Sequence, residues 1–327
     1  MTRKRILMIA LGGTIAMTRT DSGGIAPSLS AEDMVAAIPG LADLADLEAV
    51  SPFQLPGASL TLQHLSEVAG LIAAHAKDGI TGAVVIQGTD TIEESAFVLD
   101  CLLAPGVPVV VTGAMRGPES PGADGPANLM GAVRVAVSES AQGLGVLVVL
   151  NDEVHAARLA RKGHTSLPSA FTSAPYGPIG HVAEGRFWLG MRPVRPTFTP
   201  FPLLSKPAPV ALVQLGLGED GRMISSLLDR GYRGAVIAAM GAGHVSQASV
   251  APLSALAEVM PTVLSTRVLD GPVFAETYGF VGSERDLLAR GLIRGGTLGP
   301  TKARLLLQLA LTAEYSRREI SILFSHM

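Results

Sequence analysis

The sequence predicts an α/β fold, in which a larger N-terminal domain holds a mostly parallel sheet covered by helices on both faces and a smaller C-terminal α/β domain follows. Three observations predict it. Short apolar runs alternate with amphipathic stretches along the chain. The runs are almost wholly apolar, as strands buried on both faces are. Six prolines, at 193, 196, 200, 202, 207 and 209, separate two such alternations.

In the first half Ile6–Leu11, Ala83–Gln87, Val107–Thr112 and Gly145–Leu150 read as buried strands. Ile6–Leu11 follows Arg3-Lys4-Arg5 and so has a basic-then-apolar look, but six residues before Gly12-Gly13 suit a strand better than a secretory core. Helical periodicity falls at Ala31–Ala37, Leu62–Ala76, Thr91–Leu103 and Gly125–Glu139. Each proline of the 191–209 stretch fixes φ and removes a donor, so neither helix nor central strand continues there and the stretch reads as a linker. The expected domains are therefore 1–190 and 210–327. In the second, Val210–Gly216, Gly234–Met240 and Thr262–Thr266 read as strands, and Lys302–Thr312 as a largely buried terminal helix.

Composition narrows the function. The 327 residues are 48% hydrophobic and 16% charged, enough apolar matter for packed cores, and the formal charge of −3 gives no electrostatic footprint for nucleic acid or an acidic membrane. Glycine, proline and charge break every long apolar run, so no membrane span is expected. Cys101 is the single cysteine and can form neither an intrachain disulfide nor a thiolate metal site, which fits a cytoplasmic protein.

Open parallel sheets bind ligands beyond the carboxyl ends of their strands. Two of those ends carry a glycine followed by a threonine: Leu11-Gly12-Gly13-Thr14-Ile15-Ala16 and Gln87-Gly88-Thr89-Asp90-Thr91. Glycine lets the chain turn sharply and a ligand approach the backbone. The first is equally a strand-to-loop turn. In the second, Asp90 with Glu93, or Thr91 with Glu94, makes a capping box, so the segment is either a helix cap or an amino-acid site. The competing motifs are missing: no GxxxxGK[ST], no GxGxxG after a strand, no GxSxG. The seven histidines lack metal-ligand spacing, so neither a metal nor a cofactor is expected. The remaining nucleophile is a threonine hydroxyl, which needs a partner to take its proton. Lys162, in a loop beyond the strand ending at Leu150, can supply one, although a lone lysine is ordinarily a solvated charge.

LGGTIAM (11–17), VVIQGTDTIEESAFVLD (84–100), VVVTGAMR with ADGPANL (109–129), VLVVLND (146–152), APYGPIG (174–180) and KARLLLQLAL (302–311) resemble the bacterial L-asparaginases of the two-domain threonine type, in order from residue 6 to 312. The resemblance implies an amidohydrolase that converts L-asparagine to L-aspartate and ammonia. Thr14 would form a covalent acyl intermediate, and Thr89, Asp90 and Lys162 would handle protons, Asp90 also holding the substrate α-amino group. Gly13, Gly57, Ala58, Ser59, Gly88, Ala114 and Met115 would join Thr89 and Asp90 in binding substrate. It further implies a homotetramer of intimate dimers, each site lying between the large domain of one subunit and the small domain of the next, with His244 as the neighbour's contact.

Two departures from the family pattern stand out. The lid normally carries a tyrosine that activates the nucleophile, whereas Arg19-Thr20-Asp21-Ser22-Gly23-Gly24-Ile25 has none. The usual carboxylate-binding serine falls at Gly57 or Ala58, which leaves backbone groups or Ser59 to serve instead. Glu276 has the wrong spacing to Tyr278-Gly279-Phe280 and is set aside. Glutaminase or mixed activity is the alternative within enzymes, since one methylene is worth only about 1–3 kcal/mol in a pocket. An amino-acid-binding homologue with weak or no turnover is the alternative outside them.

Overall fold

The computed structural model describes residues 3–13, 15, 17–19, 25–27, 30–104, 106–196, 198–203 and 206–327. The chain divides into two compact units, Met1–Arg195 and Pro196–Met327.

Unit 1 contains, in order, β1 (Arg5–Ala10), β2 (Met17–Arg19), β3 (Ile25–Pro27), α1 (Ala31–Ala37), α2 (Leu41–Leu44), β4 (Asp46–Val50), α3 (Leu62–Lys77), β5 (Gly82–Ile86), α4 (Ile92–Leu102), β6 (Val109–Thr112), α5 (Gly125–Ala136), β7 (Val146–Leu150), β8 (Glu153–Ala156), β9 (Arg161–Lys162), β10 (Phe171–Thr172), β11 (Gly180–Ala183) and β12 (Arg186–Leu189). Eight strands form one sheet in the order β12-β11-β8-β7-β6-β5-β1-β4. The pairs from β4 to β7 are parallel, and β7/β8, β8/β11 and β11/β12 are antiparallel. From β1 the chain leaves to one side, to β4, and then crosses to the other, to β5, so the strand order reverses between β1 and β5. That switch point is where an open α/β sheet presents its ligand crevice.

The parallel strands are apolar because both faces are covered. Ile6, Met8 and Ala10 join a core with Leu129, Ala132 and Val133 of α5 and Met34 of α1. The intervening Leu7 and Ile9, buried too, face the opposite side, where α3 packs on β1 and α4 on β6 and β7. Local chemistry starts the helices: Ser30 with Asp33, and Thr61 with His64, are reciprocal caps of α1 and α3.

Several strands, among them β4 and the hairpin partner β8, were not legible in the sequence. β4 is half-buried and carries two carboxylates in five residues. The β7–β8 hairpin turns on Asn151 and Asp152, at φ 52° and 61°, the positive-φ pair of a two-residue type I′ turn without its usual glycine.

Unit 2 holds a four-stranded parallel sheet, β13-β14-β15-β16, made from β13 (Val210–Gln214), α6 (Arg222–Ser225), β14 (Gly234–Ala239), α7 (Gln247–Val259), β15 (Thr262–Thr266), α8 (Glu284–Ala289), β16 (Ile293–Arg294), α9 (Pro300–Thr312) and α10 (Arg317–Ser325). The helix expected at Lys302–Thr312 is α9, which packs on β13, β14 and β15 through buried leucines. It is not terminal. Pro300 at its start and the Ser316–Glu319 cap of α10 divide the C-terminal region into two helices.

Candidate active site at the switch point

Loops from the carboxyl ends of β1, β4 and β5 meet through three glycines. Gly13, at φ 94°, lies so close to Gly88 that a Cβ on Gly13 would collide with the Gly88 nitrogen and Cα. A Cβ on Gly57 would fall 2.8 Å from the Gly88 carbonyl oxygen. Only glycine allows these backbones to touch. Gly57 is buried inside a short 3-10 turn, Gly57–Ser59, in which Ala58 and Ser59 are exposed. Thr14, which follows Gly13 in the sequence, lies outside the described residues, as do Thr20–Gly24 of the lid segment.

The second threonine motif forms a 3-10 turn, Thr89–Thr91, leading into α4. The expected capping box is not made. Thr91 stands at the N-cap without a side-chain cap, its hydroxyl donating to the Gly57 carbonyl at 2.9 Å and accepting from Gln87 Nε2 at 3.2 Å. Glu93 Oε2 instead accepts the backbone N–H of Lys162 at 2.6 Å. The capping residues serve loop-to-loop contacts because the neighbouring backbones come within reach.

Lys162 is not in a loop but in β9, paired with β10 so that Lys162 opposes Phe171. This ribbon packs against α4. The Lys162 ammonium donates to Thr89 Oγ1 at 3.0 Å and to Asp90 Oδ1 at 2.7 Å. Thr89 is buried, the Lys162 side chain is 18% exposed and that of Asp90 is 69% exposed, so the chain of polar atoms runs from the interior to solvent. Residues 73 and 72 positions apart in the sequence thus share one hydrogen-bonded cluster.

Ala114 and Met115 follow β6, with Ala114 buried. Asp124 fixes this turn by accepting from the N–H groups of Met115 at 3.0 Å and Arg116 at 2.9 Å. Asn128 donates to the Gly113 carbonyl and to Asp124 and accepts from Asn151 N–H, tying the ends of β6 and β7 together. Asp124 and Asn128 escaped sequence reasoning because their backbone partners come within reach only in the fold, and Glu93, read in the sequence as half of a capping box, instead accepts from a distant ribbon.

His244 belongs to unit 2. Its Nε2 lies 3.2 Å from Glu284 Oε2, and its ring stands edge-on to Tyr278 and Phe280. Glu276 is exposed, whereas Glu284 is fully buried and accepts the N–H groups of Thr277 and Tyr278 at 2.9 and 2.8 Å. Burial pushes the Glu284 carboxyl up, but the amides of Tyr278, Glu284 and Thr277, with His244, outweigh it and hold the group below the usual carboxylate range. Its position behind the Ser283 cap of α8 was the missed signal.

A cavity of about 250 Å³ lined by Ile72, Leu103, Val107, Asp100 and Arg195 contains none of these residues. It opens near the starts of β6 and β7, away from the switch point, so polar convergence rather than cavity size singles out the candidate site. Among the described residues no cluster of three His, Cys, Asp or Glu side chains could hold a metal ion, and no helix is long and apolar enough to cross a membrane.

Comparison with known proteins agrees along the whole chain. The chain is 33% identical over 313 residues to an L-asparaginase of Bacillus licheniformis, covering 95% of this chain and 96% of that one. It is 37% identical over 327 residues to a probable L-asparaginase of Deinococcus radiodurans, covering 98% and 97%. The crystal structure of a probable cytoplasmic L-asparaginase from Campylobacter jejuni superposes with a TM-score of 0.88 at 30% identity, covering 99% of both chains. Residues 5–195 match the family model of the asparaginase N-terminal domain and residues 209–324 that of the glutaminase/asparaginase C-terminal domain, and the chain therefore belongs to the asparaginase family.

Proposed function

We propose that this protein hydrolyses L-asparagine to L-aspartate and ammonia through an acyl-threonine intermediate on Thr14. The observation that carries the reading is the cluster of Thr89, Asp90 and Lys162, set beside the Gly13–Gly88 contact that adjoins Thr14 in sequence. In the first step the Thr14 hydroxyl oxygen attacks the side-chain amide carbon, the C–N bond breaks and ammonia leaves with the proton the hydroxyl gave up. In the second step water attacks the ester, restoring Thr14 and releasing aspartate. Backbone N–H groups after the strand-end glycines are fixed donors for the oxyanion of each step, a contribution worth roughly 10²–10³ in rate per donor. The hydrogen-bonded path from Thr89 to Lys162 to Asp90 carries the protons, and the exposed carboxylate of Asp90 receives the substrate ammonium. Gly57, Ala58 and Ser59 face the substrate carboxylate, and the Ala114–Met115 turn faces the amide.

The working form we propose is a cytoplasmic homotetramer of intimate dimers, with residues 191–209 as the linker and His244 reaching the neighbour's site. Exposed Phe274, Tyr278, Phe280 and Val281 near His244 support association.

Ammonia release from purified protein, compared for asparagine and glutamine with Thr14→Ala and Thr89→Val as controls, tests the reading. Turnover lost in both variants supports it, and a glutamine preference would move the activity to glutaminase. Tight aspartate binding without turnover would identify an amino-acid-binding homologue instead.

A further inference from the structure

Unit 1 holds a buried polar cluster that the proposed chemistry does not use. His155 on β8 is fully buried, and its Nδ1 lies 2.9 Å from the hydroxyl of Ser173, itself buried. On the other side of the ring, Nε2 is 3.4 Å from Glu153 Oε2, without the alignment of a hydrogen bond. Serine, histidine and carboxylate in this order mimic a nucleophilic triad, but the Ser173 side chain is sealed from solvent, so no substrate reaches it.

The connection that Ser173 does have is to the ribbon bearing Lys162. Ser173 directly follows β10, whose Phe171 pairs with Lys162. β10 is thus pinned to the main sheet through Ser173 and His155, while β9 is pinned to the start of α4 through Glu93 and the Lys162 N–H. Between these two anchors the ammonium reaches Thr89 and Asp90. We propose that His155, acting through Ser173, is a positioning residue that sets the placement of the Lys162 ammonium. Burial holds the imidazole neutral, with its pKa lowered to about 4, so the Nδ1 contact is unaltered by protonation at neutral pH. A two-residue strand has little register strength of its own, and a displacement of about 1 Å in such a group costs on the order of 10²-fold in rate.

The inference rests on the proton-handling role proposed for Lys162, and the experiment separates the two. Ser173→Ala removes one oxygen from the pair. His155→Asn retains a polar atom near the Nδ1 position, and His155→Leu removes it. Asparagine turnover and thermal midpoint are measured for each, alone and in a Lys162→Met background.

The expected result is a fall in kcat of about 10-fold or more for Ser173→Ala and His155→Leu, little change in KM, and partial rescue in His155→Asn. In the Lys162→Met background Ser173→Ala is expected to lower kcat no further, because both changes act on one group. Full kcat in soluble Ser173→Ala, or equal losses with and without Lys162, would overturn the inference and leave the pair as core packing. If Ser173→Ala does not fold, a His155→Asn protein with no more kcat than His155→Leu overturns it equally. Unimpaired turnover in Lys162→Met would instead sink the role of Lys162 itself.

Discussion

Gly13 and Gly88 are in backbone contact at the point where the sheet order reverses: a Cβ on Gly13 would collide with the Gly88 backbone, while one on Gly88 would meet the Gly57 nitrogen at 2.8 Å. The contact brings the residue before Thr14 against the residue before Thr89. Gly13→Ala must move one loop and also place a Cβ at φ 94°. Overpacking of this kind costs about 1–3 kcal/mol. The expected outcome is a thermal midpoint lowered by several degrees and a disproportionate loss of asparagine turnover, read from a melting curve and an ammonia assay on the same sample.

Lys162 donates one hydrogen bond to the Thr89 hydroxyl and one to the Asp90 carboxylate. Lys162→Met keeps the stem and removes the charge. Proton transfer by a positioned group contributes roughly 10²–10⁴ in rate, so kcat should fall by about that factor while the far-ultraviolet spectrum stays unchanged. Steady-state kinetics with wild-type turnover would contradict the assignment.

The binding role proposed for Asp90 can be separated from a folding role. Its carboxylate makes no helix cap and is mostly exposed, so Asp90→Ala should change stability by less than about 0.5 kcal/mol. A substrate ammonium left unpaired costs about 1–3 kcal/mol, which raises KM by roughly 5- to 150-fold. Loss of the Lys162 partner should lower kcat as well. A substantial drop in denaturation midpoint with unaltered KM would point back to capping.

His155 makes stability depend on pH in a defined direction. Its pKa is about 4 when folded and 6.5 in the reference state, so between those values the unfolded chain binds more protons. Stability is fully present above about pH 6.5 and is lost as pH falls toward 4, by on the order of 3 kcal/mol from this group. Urea titrations across that window should show the loss in the wild type and a shallower one in His155→Asn.

Glu284 orients His244 and holds the 277–278 backbone. Glu284→Gln keeps one acceptor but gives up the charge, and removing one partner from a buried charged network typically costs 1–3 kcal/mol, about the size of one hydrogen bond to a charged group. The midpoint should fall accordingly. If His244 contacts substrate in a neighbouring subunit, KM should rise with it, and an unchanged KM would confine His244 to the fold.

Strands β1, β5, β6, β7, β13, β14 and β15 could be read from the chain because burial leaves an apolar run, and helices α1, α3, α4, α5 and α9 because 3.6-residue periodicity is local, whereas half-buried β4 and the short β8–β12 and β16 carry no such pattern. The Gly-Thr strand ends were legible for the same reason. What the sequence alone could not decide was which polar residue meets which. Asp90 with Glu93, or Thr91 with Glu94, read as a cap, yet Thr91 bonds Gly57 and Glu93 bonds Lys162 because a loop and a ribbon from elsewhere in the chain arrive beside them. His155 read as an ordinary histidine until the turn at Asn151–Asp152 laid β8 back along β7 and buried it against Ser173. Periodicity and composition record which side chains leave water. Pairing among those that do is set by strand order and crossover, which act over distances that no local pattern encodes.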